Sequence, residues 1–177
     1  MALDLEALYT DLHRHPELSF QETRTAGVIA RTLEVLGIPF TEGIGRTGIV
    51  ATLANGDGPV VWLRADMDGL PVAERTGLAY ASTARGVDPQ GADVPVMHAC
   101  GHDMHVTALL GALERLVTTA SEWSGTAVAV FQPAEELGAG SKAMIADGVL
   151  DRFPRPDIVL GQHVTPLPAG TIGVRPG

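Results

Sequence analysis

Apolar residues recur at helical spacing in several stretches of the chain. Leu5, Leu8 and Leu12 predict a helix over residues 4–13. Val28, Ile29, Leu33 and Leu36 share one face of a second helix, which Gly37 ends. Ser19-Phe20-Gln21-Glu22 has the form of a capping box and predicts where that helix opens. A third helix, about 103–119, carries Leu109, Leu110, Leu113 and Leu116 on its apolar side, and a shorter one around 140–147 closes at Gly148. Between them lie apolar runs that read as strands: 49–53, 60–65, 128–131 (ended by Pro133) and 158–161. Asn55-Gly56-Asp57-Gly58 is a hairpin signal and predicts that the first two strands pair directly. Residues 85–95 are rich in Gly, Pro and Asp and read as a loop. The later strands and helices alternate, so the pattern predicts an α/β domain with helices flanking a mixed sheet.

Composition narrows this picture. The 177 residues are 45% hydrophobic, which suits one globular domain with a core of its own. A formal net charge of −9 with no Lys/Arg cluster disfavours nucleic acid and anionic membrane as partners. No apolar run approaches the roughly 20 residues of a membrane helix. The N-terminal Met1-Ala2-Leu3-Asp4-Leu5-Glu6 lacks the basic-then-apolar pattern of a secretory signal. A single cysteine forms no internal disulfide and fits a reducing compartment, so a cytoplasmic setting is expected.

Chemistry-bearing side chains gather where strands end. Asp66 and Asp68 follow one strand, Glu135 and Glu136 another, and Gln162 and His163 a third. Catalytic groups of open α/β sheets collect beyond the carboxyl ends of strands, so these clusters are expected on one rim. The segment Met97-His98-Ala99-Cys100-Gly101-His102-Asp103-Met104-His105 would join them. It holds thiol, imidazole and carboxylate, all of which bind transition metals. Taken alone, Cys100-Gly101-His102 is more readily a small buried cysteine beside surface histidines. No Cys-x-x-Cys pair supports a zinc finger. A helix start just after Cys100 would lower its thiol pKa, which suits a thiolate ligand and equally a nucleophile. In an extended backbone, Glu135 and Glu136 would point to opposite sides, one toward a metal and one toward a water. Asp68 reads either as a strand-end turn or as an acceptor that orients a ligating histidine. His13 and His15 are weaker candidates. His98 and His105 fit a supporting or a purely structural role. There is no Gly-x-Ser-x-Gly elbow and no glycine-rich phosphate loop.

Five motifs in order resemble the N-acyl-amino-acid amidohydrolases, the metallopeptidase group that includes hippurate hydrolases, aminoacylases and auxin-conjugate hydrolases. They are His13-Arg14-His15-Pro16-Glu17-Leu18-Ser19-Phe20-Gln21-Glu22, Arg64-Ala65-Asp66-Met67-Asp68-Gly69-Leu70-Pro71, His98-Ala99-Cys100-Gly101-His102-Asp103, Phe131-Gln132-Pro133-Ala134-Glu135-Glu136 and Gly161-Gln162-His163-Val164. The resemblance implies a three-layer αβα, di-metal aminopeptidase-like catalytic domain. It implies that Cys100, His102, Glu136 and His163 ligate two divalent ions, zinc or manganese. Glu135 would be the general base that activates water, and Asp68 would orient a ligand. Asp66 stands where many relatives outside this subgroup carry a ligating histidine, and ranks below the four ligands. The implied reaction is cleavage of the amide of an N-acyl amino acid or related small peptide.

Members of that family are longer. A lid domain, usually the dimerisation element, is inserted into the catalytic domain, and the final section supplies one more ligating histidine. Residues 1–177 are therefore expected to be the N-terminal portion of the catalytic domain. Homo-oligomerisation is expected to run through the lid, and the chain alone should show little activity and an exposed apolar sheet edge. Two other readings stay open: a non-catalytic metal-binding or interaction module, and a Cys100-dependent thiol hydrolase.

Overall fold

The structure, a computed structural model, describes residues 2–174. The helices are α1 (Leu5–Arg14), α2 (Thr23–Leu36), α3 (His102–Thr118), α4 (Gly140–Ala146) and α5 (Val149–Arg152). The strands are β1 (Phe40–Ile44), β2 (Gly48–Asn55), β3 (Val60–Asp66), β4 (Arg85–Val87), β5 (Asp93–Pro95), β6 (Gly125–Gln132) and β7 (Ile158–Gly161). Five strands form one mixed sheet in the order β1-β2-β6-β3-β7, and β4 and β5 form a separate antiparallel pair. β1–β2 and β2–β6 are antiparallel, while β3 runs parallel to both β6 and β7.

The architecture is the expected three-layer αβα. On one face of the sheet, Leu12 of α1, Ile29 and Leu33 of α2, and Val106, Leu110 and Leu113 of α3 pack on Ile49, Ala65, Ala129 and Phe131. On the other face, Met144 and Val149 from α4 and α5 cover Val50, Trp62, Val128 and Val130. β6 is central because it is buried on both faces along nearly its whole length.

Three local expectations are corrected. First, β2 and β3 do not form a hairpin: β6 lies between them, and Asn55 pairs with Gly125. The Asn-Gly signal bends the chain, but both flanking strands pair with β6, whose Ala127–Phe131 run is apolar and buried. Second, the capping box is not formed. The N-cap of α2 is Glu22, without a side-chain cap bond, and the Ser19 hydroxyl donates to Asp68 instead, at 2.6 Å. The Glu17 carboxylate does the capping, accepting the N–H groups of Arg24 (2.9 Å) and Thr25 (2.8 Å). Third, the stretch 85–95 contains β4 and β5. β1 has no counterpart among the strands that the sequence pattern predicts.

The layering positions the chemistry. Parallel β3, β6 and β7 bring Asp66, Gln132 and Gly161 to the same edge of the sheet. β7 is an edge strand, hydrogen-bonded among the described residues only to β3. Its Ile158, Val159 and Leu160 are 49%, 57% and 48% exposed, which is the apolar edge expected from the sequence.

Candidate metal centre

Four segments meet at the carboxyl edge of the sheet. At the end of β3, Asp66 and Asp68 face the rim while Met67 turns into the core, as a period of two demands. At the start of α3, Gly101 adopts φ +84°, and this left-handed turn delivers His102 as the first helical residue. A Cβ at Gly101 would overlap Val164 Cγ2, so glycine also lets the segment after β7 approach. After β6 the chain turns through Pro133-Ala134-Glu135-Glu136. Ala134 sits at φ +46°, a left-handed conformation that costs a non-glycine residue on the order of 1–2 kcal/mol.

Two buried carboxylates hold that turn. Glu22 accepts the Ala134 N–H at 2.8 Å and the Thr47 hydroxyl at 2.6 Å. Asp68 accepts the N–H groups of Glu135 and Glu136, each at 3.1 Å. Asp68 also faces His102 Nδ1 at 3.3 Å. The sequence suggested that Glu135 and Glu136 would diverge along an extended backbone. They lie in a turn instead, and both carboxylates come within 3.8 Å of His102 Nε2.

His102 is fully buried. Its Nδ1 is 2.9 Å from the Asp68 carbonyl oxygen, which can only accept, so Nδ1 carries a proton and Nε2 is the nitrogen turned toward the site. His102 Nε2 and Glu136 Oε1 are both buried without a hydrogen-bond partner. Cys100 Sγ lies 3.3 Å from His163 Nε2 at the open side. One potential ligand atom from each of Cys100, His102 and His163 falls within 4.8 Å of the others, and so does a second trio of His102, Glu135 and Glu136. Two carboxylates converging on one imidazole nitrogen repel each other unless a cation or a proton stands among them. The donor set therefore fits divalent metal, with thiol and imidazole suiting zinc and the carboxylates accepting manganese as well.

The electrostatics agree. Burial pushes the Cys100 thiol up, and the nearby Glu136, Glu135 and Asp66 add to this, to about 11. The expected lowering by the helix start is thus overturned, because burial and then the surrounding carboxylates outweigh the dipole. This disfavours a free thiolate nucleophile, whereas a cation would reverse the local balance. Burial likewise raises Glu136, reinforced by Asp68 and Glu135 against the opposing pull of His102. For His102, burial acts downward, but Asp68 and Asp66 outweigh it and raise the pKa.

The sequence-derived residues Asp68, Cys100, His102, Glu135, Glu136 and His163 are all brought to this rim. The groups that support this rim carry little signal in the sequence. His13 Nδ1 meets Asp103 at 2.6 Å and its Nε2 meets Glu74 at 3.1 Å, tying α1 to the first turn of α3. Burial lowers the His13 pKa, but these two carboxylates outweigh it and raise it overall. Arg64 bridges Asp66 (2.7 Å) and Gln132 (3.0 Å) across β3 and β6. Only the motif neighbourhood of His13 and Arg64 hinted at this.

An α/β domain with thiol, imidazole and carboxylate converging beyond the parallel strands is the frame of a metallohydrolase. The sequence model of Peptidase family M20/M25/M40 matches residues 62–177, and the chain belongs to that family. It is 41% identical to an N-acetylcysteine deacetylase of Bacillus subtilis (strain 168), over 94% of this chain and 42% of that protein. It is 40% identical to IAA-amino acid hydrolase ILR1-like 6 of Arabidopsis thaliana, over 98% of this chain and 35% of that protein. The crystal structure of Bacillus subtilis YXEP, described as a dinuclear metal binding peptidase of the M20 family, superposes with a TM-score of 0.86 at 40% identity. That superposition covers 98% of this chain and 46% of YXEP. The chain thus spans less than half the length of these relatives. Among the described residues, no helix is long and apolar enough to cross a membrane.

Proposed function

We propose that the chain carries the metal ligands and general base of an amidohydrolase that cleaves the amide bond of N-acyl amino acids. The observation that carries this reading is the buried, unpartnered His102 Nε2, set 3.8 Å from both Glu135 and Glu136 beside the Cys100–His163 pair. Two divalent ions, zinc or manganese, held by Cys100, His102, Glu136 and His163, would polarise the scissile carbonyl and acidify a water.

The chain's own groups divide the remaining work. The Glu135 side chain is 40% exposed and that of Glu136 18%, so Glu135 is the one open to substrate. Glu135 takes the proton of the attacking water and delivers it to the leaving amine nitrogen as the C–N bond breaks. Asp68 fixes the Glu135-Glu136 turn through two backbone N–H groups and keeps His102 Nε2 facing the site. An apolar recess of about 230 Å³ adjoins Glu136, lined by Leu18, Leu70, Pro71, Pro89 and Leu137, and offers room for the acyl group. The names of the deacetylase and auxin-conjugate hydrolase relatives support this substrate class.

In this reading residues 1–177 are the N-terminal portion of the catalytic domain, with a lid and a further ligand supplied from beyond them. The chain alone then turns over slowly, since losing one oxyanion donor costs about 100- to 1,000-fold. The single cysteine supports a cytoplasmic setting. The test is hydrolysis of N-acetyl and N-benzoyl amino acids by a longer protein bearing this chain, with Zn²⁺ or Mn²⁺ and then EDTA. Metal-dependent release of the free amino acid is expected. Activity that survives EDTA would favour Cys100 as nucleophile and overturn the proposal.

A further inference from the structure

His105 lies one helical turn beyond His102, is 1% exposed, and belongs to none of the four ligand positions. Its hydrogen bonds fix its state. The Val164 N–H, which can only donate, meets His105 Nε2 at 2.9 Å, so Nε2 accepts and the proton sits on Nδ1. Nδ1 then donates to Asp66 Oδ1 at 2.6 Å. Asp66, His105 and His102 also satisfy the distances of a metal-binding trio. Both His105 nitrogens are spoken for, however, so it has no lone pair for an ion.

The chain of contacts continues to the rim. The Val164 carbonyl is 2.7 Å from His163 Nδ1 and can only accept, so His163 carries its proton on Nδ1. This leaves the His163 Nε2 lone pair facing Cys100 Sγ at 3.3 Å. The His105 and His163 rings meet edge to face, with centroids 4.7 Å apart. His163 itself is exposed and follows an edge strand, so little else fixes its orientation. Asp66 is anchored in turn by Arg64 at 2.7 Å.

We propose that His105 is a positioning residue: braced by Asp66, it grips the Val164 amide and thereby sets the tautomer and direction of His163 toward the metal centre. The inference rests on the reading of the cluster as a metal centre. It gives Asp66, the departure from the common ligand pattern, a definite job as the base of a strut.

The test compares amides of different reach. A Gln side chain places an acceptor near the imidazole Nε2 position and keeps the Val164 bond. Asn places its amide near Nδ1, keeps the Asp66 bond and loses Val164. His105→Phe loses both. Co²⁺ is titrated into each protein and followed by its thiolate charge-transfer and ligand-field bands. His105→Phe and His105→Asn should weaken binding of the ion beside Cys100 by about 10- to 100-fold, while His105→Gln stays near wild type. Imidazole ¹⁵N shifts of metal-free protein give a readout independent of the ion. His163 should be the Nδ1–H tautomer in wild type and His105→Gln, and a mixture in His105→Asn. The Gln/Asn pair decides the matter even where the Phe variant does not fold. Equal Co²⁺ affinity and an unchanged His163 tautomer in His105→Asn would overturn the inference. A wild type that binds no Co²⁺ would overturn the metal reading on which it depends.

Discussion

Replacing Asp68 with asparagine perturbs the site while leaving its volume unchanged. The buried carboxylate accepts three hydrogen bonds, from the N–H groups of Glu135 and Glu136 and from the Ser19 hydroxyl, and lies 3.3 Å from His102 Nδ1. An Asn amide offers one acceptor oxygen, so its NH₂ must face donors on the other side. Turned toward Ser19, whose hydroxyl can rotate to accept, it leaves the Glu136 N–H opposed by another donor. A charge-assisted hydrogen bond contributes roughly 1.5–3 kcal/mol, and a buried donor left unpaired costs about 1–3 kcal/mol. Asp68→Asn should therefore destabilise the metal-free protein by about 2–5 kcal/mol at pH 7. For a domain of this size that lowers Tm by roughly 5–15 °C. The pH dependence adds a check. Burial would raise the Asp68 pKa, but His102, Ser19 and the Glu136 N–H outweigh it and hold it below its ordinary 3.8. A depressed acid contributes stability above its unfolded pKa and loses it as pH falls through the folded value. Urea unfolding of both proteins between pH 2.5 and 7 should show the wild-type advantage complete at neutral pH and shrinking below about pH 4. A variant within about 0.5 kcal/mol of wild type at pH 7 would refute the role given to Asp68.

Other perturbations separate the remaining roles. His13→Phe should destabilise the protein, and more at pH 6 than at pH 9. The raised His13 pKa means its ion pairs with Asp103 and Glu74 are fully present below the ordinary 6.5 and are lost as pH rises through the folded value, which thermal melts across that range would show. Glu22→Gln keeps the acceptor for the Ala134 N–H and removes a carboxylate whose pKa burial raises. Since a raised acid loses native-state stability as pH climbs from its ordinary value, the variant should gain on wild type from pH 4 to pH 8 in chemical denaturation. In the active protein, Glu135→Gln should lower kcat by about 100- to 10,000-fold with metal content unchanged, whereas Glu136→Gln should lower metal content first; steady-state kinetics alongside metal analysis distinguishes the two.

Much of the site is legible in the sequence because its residues stand in short motifs at strand ends, and parallel strands β3, β6 and β7 carry those ends to one edge. The helices are legible from their apolar faces, with Gly37 and Gly148 adopting the left-handed conformation expected at helix boundaries. What escaped depends on contacts between distant residues. The Asn-Gly turn describes a local preference, yet strand order is decided by which strand is apolar on both faces, and that is β6. Ser19 has the look of a helix cap until Asp68, 49 positions away, takes its hydroxyl. His13 looks like a weak candidate, and His105 fits a supporting or a structural role equally, because their partners Asp103 and Asp66 lie 90 and 39 positions away. The rise in the Cys100 pKa is hidden for the same reason: burial by distant segments comes first, and the carboxylates that add to it come from β3 and from the turn after β6.

The most direct test of the metal centre is the stoichiometry of tightly bound metal after incubation with Zn²⁺ or Mn²⁺ and exhaustive dialysis, for the wild type and for His163→Ala, a substitution at an exposed residue that spares the core. In a longer protein bearing this chain, the account predicts two ions per chain in the wild type and a loss of retained metal in the variant. No ion above background in the wild type, or full retention in His163→Ala, would contradict it.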